Sequence, residues 1–333
     1  ERDGLESMAA ERTILVTGGA GYIGGHVTME LAEAGYRIVT LDLCAVSGAP
    51  ADFVAKAVVG NVGDQGLVAE LLAREGFDAV IHLAGYIESG ESVENPGKYY
   101  ENNIVGSLRF LAELAKAGAP PVIFSSSAAV YGGGLSSPLS ETEIPSPETP
   151  YAVSKLMIEQ ALAGYRVAHG LRSASLRYFN AAGADPGGRA GEDHDPETHL
   201  IPIALQAAAG RRDELVVNGT GFPTADGSCV RDYVHVSDLA TAHRLALDCL
   251  LAGDPGGVFN VGTGQGHSVL EVAAEAGRVT GQTLTLEVGP PRPGDTAELV
   301  ADPARFKAWC GWEPRYVDLA DMVRHAWAWE QAR

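Results

Sequence analysis

Tyr151-Ala-Val-Ser-Lys155 is the one Tyr-x-x-x-Lys in this 333-residue chain, and three consecutive serines, Ser125, Ser126 and Ser127, lie just upstream of it. Residues four apart share a helix face, so the phenol and the ammonium could act on one substrate group. A free phenol titrates near ~10. A cation beside it favours the phenolate, which is the form that removes a proton. With five lysines and 11 tyrosines in the chain, the pair is a weak motif alone, and its meaning depends on its surroundings.

The surroundings include Gly18-Gly19-Ala20-Gly21-Tyr22-Ile23-Gly24, directly after the apolar run Thr13–Thr17. Glycines at a strand-to-helix turn let the backbone approach a pyrophosphate, whose charge then sits at the helix N-terminus. Asp42 stands eighteen residues beyond Gly24, at the end of a second apolar run. An acid there accepts from ribose hydroxyls and repels a 2′-phosphate, which favours NAD over NADP. The positive charge of an oxidised nicotinamide would further lower the phenol of Tyr151.

Positioning these groups needs alternating strands and helices. The patterning predicts strands at 13–17, 37–42, 57–60, 78–83, 121–126 and 174–179, helices at 22–34 and 64–74, and a long helical stretch from about 91 to 117. Such alternation implies an α/β fold, a Rossmann-type doubly wound parallel sheet with helices on both faces. Residues 136–150 contain four prolines and form a loop that delivers Tyr151 to the start of its helix. Residues 184–199 are rich in Gly, Asp and Pro, a long loop of the kind that carries function. Residues 230–236 and 258–261 read as strands around a helix at 238–251 and return to the first lobe. The remainder, with a Pro/Gly loop at 289–294, completes a smaller C-terminal α/β lobe for substrate. The expected division is 11–180 plus about 232–262, then about 181–231 plus 263–333, with 1–10 an N-terminal extension.

Composition limits the partners. Formal charge is −19 and hydrophobic residues make up 46%. That field disfavours nucleic acid and anionic membrane, so an anionic ligand must be held by a few placed arginines. Cys44, Cys229, Cys249 and Cys310 are scattered without metal-type spacing and read as reduced thiols. No apolar run reaches the ~18 residues of a membrane span, and the start shows no signal-peptide pattern, so a cytoplasmic protein is expected.

Taken together, the chain resembles the extended short-chain dehydrogenases/reductases, most of all the UDP-glucose 4-epimerases, from about residue 13 to residue 329. The resemblance rests on T-G-G-A-G-Y-I-G, H-L-A-G, G-E-S-V, F-S-S-S-A-A-V-Y-G, S-K-L-M-I-E-Q, R-Y-F-N-A-A-G-A, V-R-D-Y-V-H-V-S-D-L-A and N-V-G-T-G. It implies a bound NAD and a nucleotide-sugar substrate. It implies Ser127, Tyr151 and Lys155 as catalytic residues. For the cofactor it implies Gly18, Gly21, Tyr22, Ile23, Gly24, Asp42, Asn61, Val62, Leu83, Ala84, Gly85, Asn102, Ser125 and Phe179 with Tyr151 and Lys155. For the substrate it implies Asn180, His199, Leu200, Asn218, Arg231, Arg292, Asp295 and Leu299 with Ser127 and Tyr151. Planar guanidinium donors suit a diphosphate, although Arg231 beside Asp232 could equally be a plain ion pair and Arg292 a solvated loop residue. Ala128-Ala129 after Ser127 lack the acid pair that dehydratases of this superfamily use to eliminate water.

Several positions depart from the family pattern. Ile87 stands where a Lys is common and Glu88 follows it; Asn61 replaces an Asp near the adenine. His199 stands at an Asn position beside the diphosphate, Asn218 at that of an aromatic against uracil, and Leu299 where a large Tyr excludes 2-acetamido sugars. His194 and His199 among Glu192, Asp193, Asp195 and Glu197 match no helix-borne ligand set, and no metal is expected. The resemblance also implies a homodimer through the apolar stripes of 91–117 and 153–162. The leading reading is an NAD-dependent nucleotide-sugar 4-epimerase, of UDP-glucose/UDP-galactose or of another sugar such as a UDP-N-acetylhexosamine, a UDP-uronic acid or a dTDP-sugar. A 4-ketoreductase and a noncatalytic dinucleotide sensor are the alternatives.

Overall fold

The computed structural model describes residues 12–292 and 295–332; the N-terminal extension expected at 1–10 lies outside them. In chain order the strands are β1 (Thr13–Thr17), β2 (Arg37–Asp42), β3 (Lys56–Val59), β4 (Ala79–His82), β5 (Val122–Ser127), β6 (Ser173–Tyr178), β7 (Asn180–Ala182), β8 (Leu215–Asn218), β9 (Val230–His235), β10 (Gly256–Val261), β11 (Gly266–Ser268), β12 (Leu286–Gly289) and β13 (Glu298–Leu299). The α-helices are α1 (Tyr22–Glu33), α2 (Gln65–Glu75), α3 (Ser89–Glu94), α4 (Pro96–Tyr99), α5 (Ser107–Lys116), α6 (Pro150–His169), α7 (Leu200–Ala208), α8 (Val236–Leu251), α9 (Val269–Thr280), α10 (Ala304–Cys310) and α11 (Leu319–Ala332).

Seven strands form one parallel sheet in the order β10-β6-β5-β4-β1-β2-β3. Successive strand residues face opposite sides, and the burial follows that rule. On one side Ile14, Val16, Ala79 and Ile81 pack with Val27 and Leu31 of α1 and Leu239, Ala246 and Leu250 of α8. On the other, Leu15 and Val80 pack with Leu71 of α2, Phe110 and Leu114 of α5, and Ile158 and Leu162 of α6. The chain winds away from β1 in both directions, and in such sheets ligands bind beyond the carboxyl ends of the strands at that switch. Gly18, Asp42, Leu83, Ser127 and Phe179 all stand at or just past those ends.

A separate apolar cluster joins Ile201 and Leu205 of α7, Val272 and Ala276 of α9, Met322 and Val323 of α11, and Leu215 of β8. Of the two strands expected to return to the large sheet, only β10 does so; β9 pairs with β7, β11 and β13 in a small sheet. β9 carries Arg231, Asp232 and His235 whereas β10 is mostly apolar, but strand partners are chosen across the fold, so length and local pattern do not reveal them.

The helical stretch expected from 91 to 117 is broken. Pro96 opens α4 after Asn95, whose side chain accepts from Lys98 N–H, because proline has no N–H to continue the preceding helix. Residues Tyr100–Gly106 then form a π-helical turn before α5, a distortion found mostly at functional sites. α6 is well defined: Thr149 caps it by accepting from Ala152 N–H at 3.3 Å, Pro150 takes its first turn, and Gly170 ends it at φ +69°, as the rules for helix ends require. All four cysteines are free thiols. Among the described residues no helix is long and apolar enough to cross a membrane.

Candidate active site

The end of β5 and the start of α6 bring the catalytic candidates together. Ser127 closes β5, and its Oγ accepts from Ala129 N–H at 3.2 Å, which caps a short 3-10 turn. Tyr151 is the second residue of α6, and its phenol lies beside the Ser127 hydroxyl. Burial pushes that phenol above its ordinary value; the Ser127 hydroxyl pulls it down in part, and the Glu88 carboxylate pushes it up again. The protein groups alone therefore do not lower Tyr151, contrary to the effect expected of Lys155. The reason is geometric. Lys155 Nζ lies 5.7 Å from the Tyr151 ring centroid and donates to Ser125 O at 2.7 Å, and burial lowers it to about 8.

Ser125 and Ser126 are fixed from behind. Ser125 Oγ is hydrogen-bonded to Tyr178 Oη, and Ser126 Oγ donates to Glu159 Oε1. Glu159 is paired with Arg177 at 2.6 Å, both side chains being buried. Arg177 also donates to Tyr131 Oη at 3.1 Å, and Tyr131 donates to Asn260 Oδ1 at 2.7 Å. This network ties β5 to α6, β6 and β10. It was missed from sequence because its members are 18 to 129 residues apart.

The turn after β1 has the shape of a dinucleotide cradle. Gly18 is at φ +77°, and a Cβ there would meet Ala84 N at 2.7 Å; a Cβ on Gly24 would meet Gly18 O at 2.0 Å. Only glycine fits this approach of β1, α1 and β4. Gly21 precedes the first residue of α1. Asp42 Oδ2 accepts from Ala20 N–H at 2.9 Å, which joins β2 to the glycine turn. Tyr22 Oη turns away from the turn and donates to Gly183 O at 2.6 Å, while Ile23 packs into the core.

Asn61 Oδ1 accepts from Gly63 N–H at 2.7 Å, and Val62 beside it is buried. A cavity of about 470 Å³ is lined by Asn61, Gly63, Tyr86, Lys98 and Asn102. The π-helical turn directs two asparagines: Asn102 Nδ2 donates to Asn103 Oδ1 at 2.9 Å, and Asn103 clamps Tyr86 through its N–H and C=O, both at 2.9 Å. A Cβ on Gly85 would approach Asn103 Oδ1 at 3.2 Å. His82, buried between the hydroxyls of Thr17 at 2.7 Å and Ser107 at 2.9 Å, is lowered to about 3 by burial and by Lys155, so it is neutral. Leu83 and Ala84 pack against opposite core clusters, on either face of the sheet.

On the substrate side, Phe179 packs with Ala128, Ala301 and the half-buried Leu299. Asn180 opens β7 opposite Tyr233. Arg231 does not pair with Asp232. It donates to Thr296 O at 2.9 Å and meets Asp295 Oδ1 at 3.4 Å, whereas buried Asp232 accepts from the N–H groups of Thr263, Gly264 and Ala301. With its amide oxygen toward Arg292, Asn218 accepts from Nε at 3.1 Å and Nη2 at 2.9 Å, so it holds the guanidinium fork.

His199 precedes α7, with Leu200 as its first residue. Burial would lower His199, but hydrogen bonds to Glu192 and Glu197 overcome that and hold it at about 10. Its Nδ1 lies 2.7 Å from Glu192 Oε1 and 3.2 Å from Glu197 Oε1. His194 Nδ1 reaches the same Glu192 oxygen at 3.1 Å. The spacing that argued against a metal set assumed a helix; a loop is free of that constraint and gathers all four side chains.

The model of the NAD dependent epimerase/dehydratase family matches residues 14–262. The chain is 44% identical over 318 residues to the UDP-glucose 4-epimerase of Halalkalibacterium halodurans, covering 96% of this chain and 95% of that protein. The crystal structure of UDP-glucose 4-epimerase from Brucella ovis in complex with NAD superimposes with a TM-score of 0.91 at 44% identity, over 95% of this chain and 97% of the other. The Bifidobacterium longum UDP-glucose 4-epimerase in complex with NAD+ and UDP gives 0.90 at 36% identity, over 96% and 98%.

Proposed function

The chain belongs to the NAD-dependent epimerase/dehydratase family, and on that footing we propose that it is an NAD-dependent 4-epimerase interconverting UDP-glucose and UDP-galactose. The observation that carries the reading is the meeting of Ser127 at the end of β5 with Tyr151 at the start of α6, and buried Lys155 one helical turn along donating to Ser125 O.

The residues present fit NAD. Gly18 and Gly24 form a cradle that a Cβ would fill, and α1 begins there to meet a pyrophosphate with its N-terminal N–H groups. Asp42 is placed to take the adenosine ribose, and Asn61, Val62 and Asn102 the adenine side. Leu83, Ala84, Gly85, Ser125 and Phe179 would face the nicotinamide side. When bound, the cofactor would accept hydride as NAD+ and return it as NADH, and the oxidised form would supply a positive charge that favours phenolate at Tyr151.

Tyr151 takes the proton of the sugar 4-hydroxyl as its C4 hydrogen leaves as hydride, and Ser127 bonds that oxygen and passes the proton. Lys155 would hold the nicotinamide ribose. The resulting 4-keto sugar turns over about its phosphate link and is reduced on its other face, with Tyr151 returning the proton. Arg231 and Arg292 hold the diphosphate during that turn, with Asn180, His199, Leu200 and Asp295 around it, so the grip is firm on phosphate and loose on the hexose. Ala128 and Ala129 supply no acid for elimination, which separates this chemistry from the dehydratases.

In this reading residues 12–180 with about 236–262 form the cofactor-binding unit, and β9 joins the sugar-nucleotide unit of about 181–235 with 263–332, because it pairs with β7, β11 and β13. A cytoplasmic homodimer is part of the same reading: Val93, Tyr100, Leu108 and Met157 on the α3–α6 face are exposed apolar side chains, the kind of surface a partner covers. A second reading, activity on UDP-N-acetylhexosamines, rests on Leu299, a side chain intermediate in size between the large Tyr and the small residue of the family pattern, packed here against Ala128, Phe179, Val130 and Tyr131.

The test uses protein purified without added cofactor and incubated with UDP-galactose, UDP-N-acetylgalactosamine and dTDP-sugars in turn. Bound NAD and interconversion of a sugar pair without net absorbance change at 340 nm is the expected result. Net consumption of cofactor would make it a ketoreductase, and no turnover a sensor. Tyr151→Phe should abolish turnover with NAD still bound; retained activity refutes the mechanism.

A further inference from the structure

Glu192, His194, Glu197 and His199 occupy the loop between β7 and α7, and one ligand-type atom from each lies within 4.8 Å of all the others. Two imidazole nitrogens and two carboxylate oxygens form a donor set suited to a borderline-soft divalent ion in tetrahedral geometry. A second observation points the same way. The Glu197 side chain is only 3% exposed, yet its Oε2 has no hydrogen-bond partner among the described residues. A buried carboxylate oxygen without a partner is costly, and a cation would meet it.

The geometry points to a divalent transition-metal site built from Glu192, His194, Glu197 and His199, with Zn2+ the ion its donor set suits best. The loop that carries the ligands is held by backbone N–H groups and by Trp329, in the way that supporting hydrogen bonds orient metal ligands. Glu197 Oε1 accepts from the N–H groups of Thr198 at 2.8 Å and His199 at 2.9 Å, which fixes the carboxylate while its Oε2 keeps no hydrogen-bond partner among the described residues. Trp329 Nε1 donates to Glu192 O at 3.0 Å. Glu192 and Glu197 together balance the charge of a divalent ion.

The site adjoins the dinucleotide cradle. The Tyr22 ring, at the start of α1, meets the His194 ring edge-on at 6.4 Å, and Tyr22 Oη is tied to Gly183 O ahead of the loop. A bound ion therefore fastens the segment that carries His199 and Leu200, on the substrate side, against the helix that opens the cofactor site. Its role is to position that segment, and it takes no part in hydride or proton transfer.

The rival arrangement is an imidazolium–carboxylate network, with both rings paired to Glu192. Untagged protein stripped with a chelator and titrated with Zn2+ in a calorimeter decides between them, with metal content measured after dialysis and Co2+ as a spectroscopic probe of coordination. One ion per chain with Kd below about 1 µM, weakened about 100-fold by His194→Ala and by Glu197→Gln, is the expected result. Glu197→Gln keeps the side-chain shape and an oxygen acceptor, and its circular dichroism reports whether it folds. Absence of stoichiometric binding, or binding indifferent to both substitutions, overturns the site; doubly protonated imidazoles by 15N NMR in the presence of excess Zn2+ do the same. The measurement needs neither sugar nor turnover, so its outcome is independent of the epimerase reading, even though His199 belongs to both.

Discussion

Replacing Lys155 by Met should stabilise the cofactor-free fold at neutral pH while abolishing turnover. Lys155 Nζ is buried with one backbone acceptor, Ser125 O at 2.7 Å, and burial lowers it from 10.5 to about 8. That difference corresponds to about 3 kcal/mol of destabilisation. Its pH dependence follows from the folded value lying below the unfolded one. Below pH 8 both states hold the proton and the full cost is present. Between about 8 and 10.5 the unfolded chain binds a proton that the folded chain has released, so wild-type stability rises through this window. Methionine removes the charge at every pH but leaves Ser125 O without its donor, a loss of about 1–2 kcal/mol. The variant should thus be more stable by about 1–2 kcal/mol at pH 7, with the advantage shrinking and then reversing by pH 10. Urea unfolding of NAD-free wild type and variant at pH 7, 8, 9 and 10 measures this directly. A variant less stable at pH 7, or a difference that stays flat from pH 7 to 10, would refute the reasoning.

Other substitutions test other parts of the structure. Glu159→Gln leaves the buried Arg177 guanidinium without its counter-charge and should cost about 3–5 kcal/mol, read as a lower urea midpoint. Gly24→Ala places a Cβ 2.0 Å from Gly18 O; it should yield protein that retains no NAD after gel filtration, measured as nucleotide released on acid extraction. Asn218→Ala frees the Arg292 fork, so KM for the UDP-sugar should rise about fivefold with kcat nearly unchanged in steady-state assays.

The large sheet was legible because most of its strands are short apolar runs, and β1, β3 and β4 are each followed by a turn and a helix. The Tyr151–Lys155 spacing and the glycine run were legible for a similar reason: both are local, and both act through neighbours on one element. The break in 91–117 was partly signalled by Pro96, whereas the π-helical turn at Tyr100–Gly106 left no compositional trace. The pairing of β9 with β7, β11 and β13 was hidden because strand partners are chosen across the fold. Arg231 illustrates the same limit: its sequence neighbour Asp232 turns to backbone N–H groups, and its ionic partner is Asp295, 64 residues on.

By itself the sequence determined which reactive groups the protein owns and which short elements carry them, since helix faces, strand alternation and glycine turns are set by neighbours within a few residues. Only the tertiary structure decided what state those groups are in. Lys155 is lowered rather than left as an ordinary ammonium, Tyr151 is raised by the protein around it, and Glu192, His194, Glu197 and His199 converge. Desolvation and charge pairing act through space, over distances the chain bridges only once it is folded.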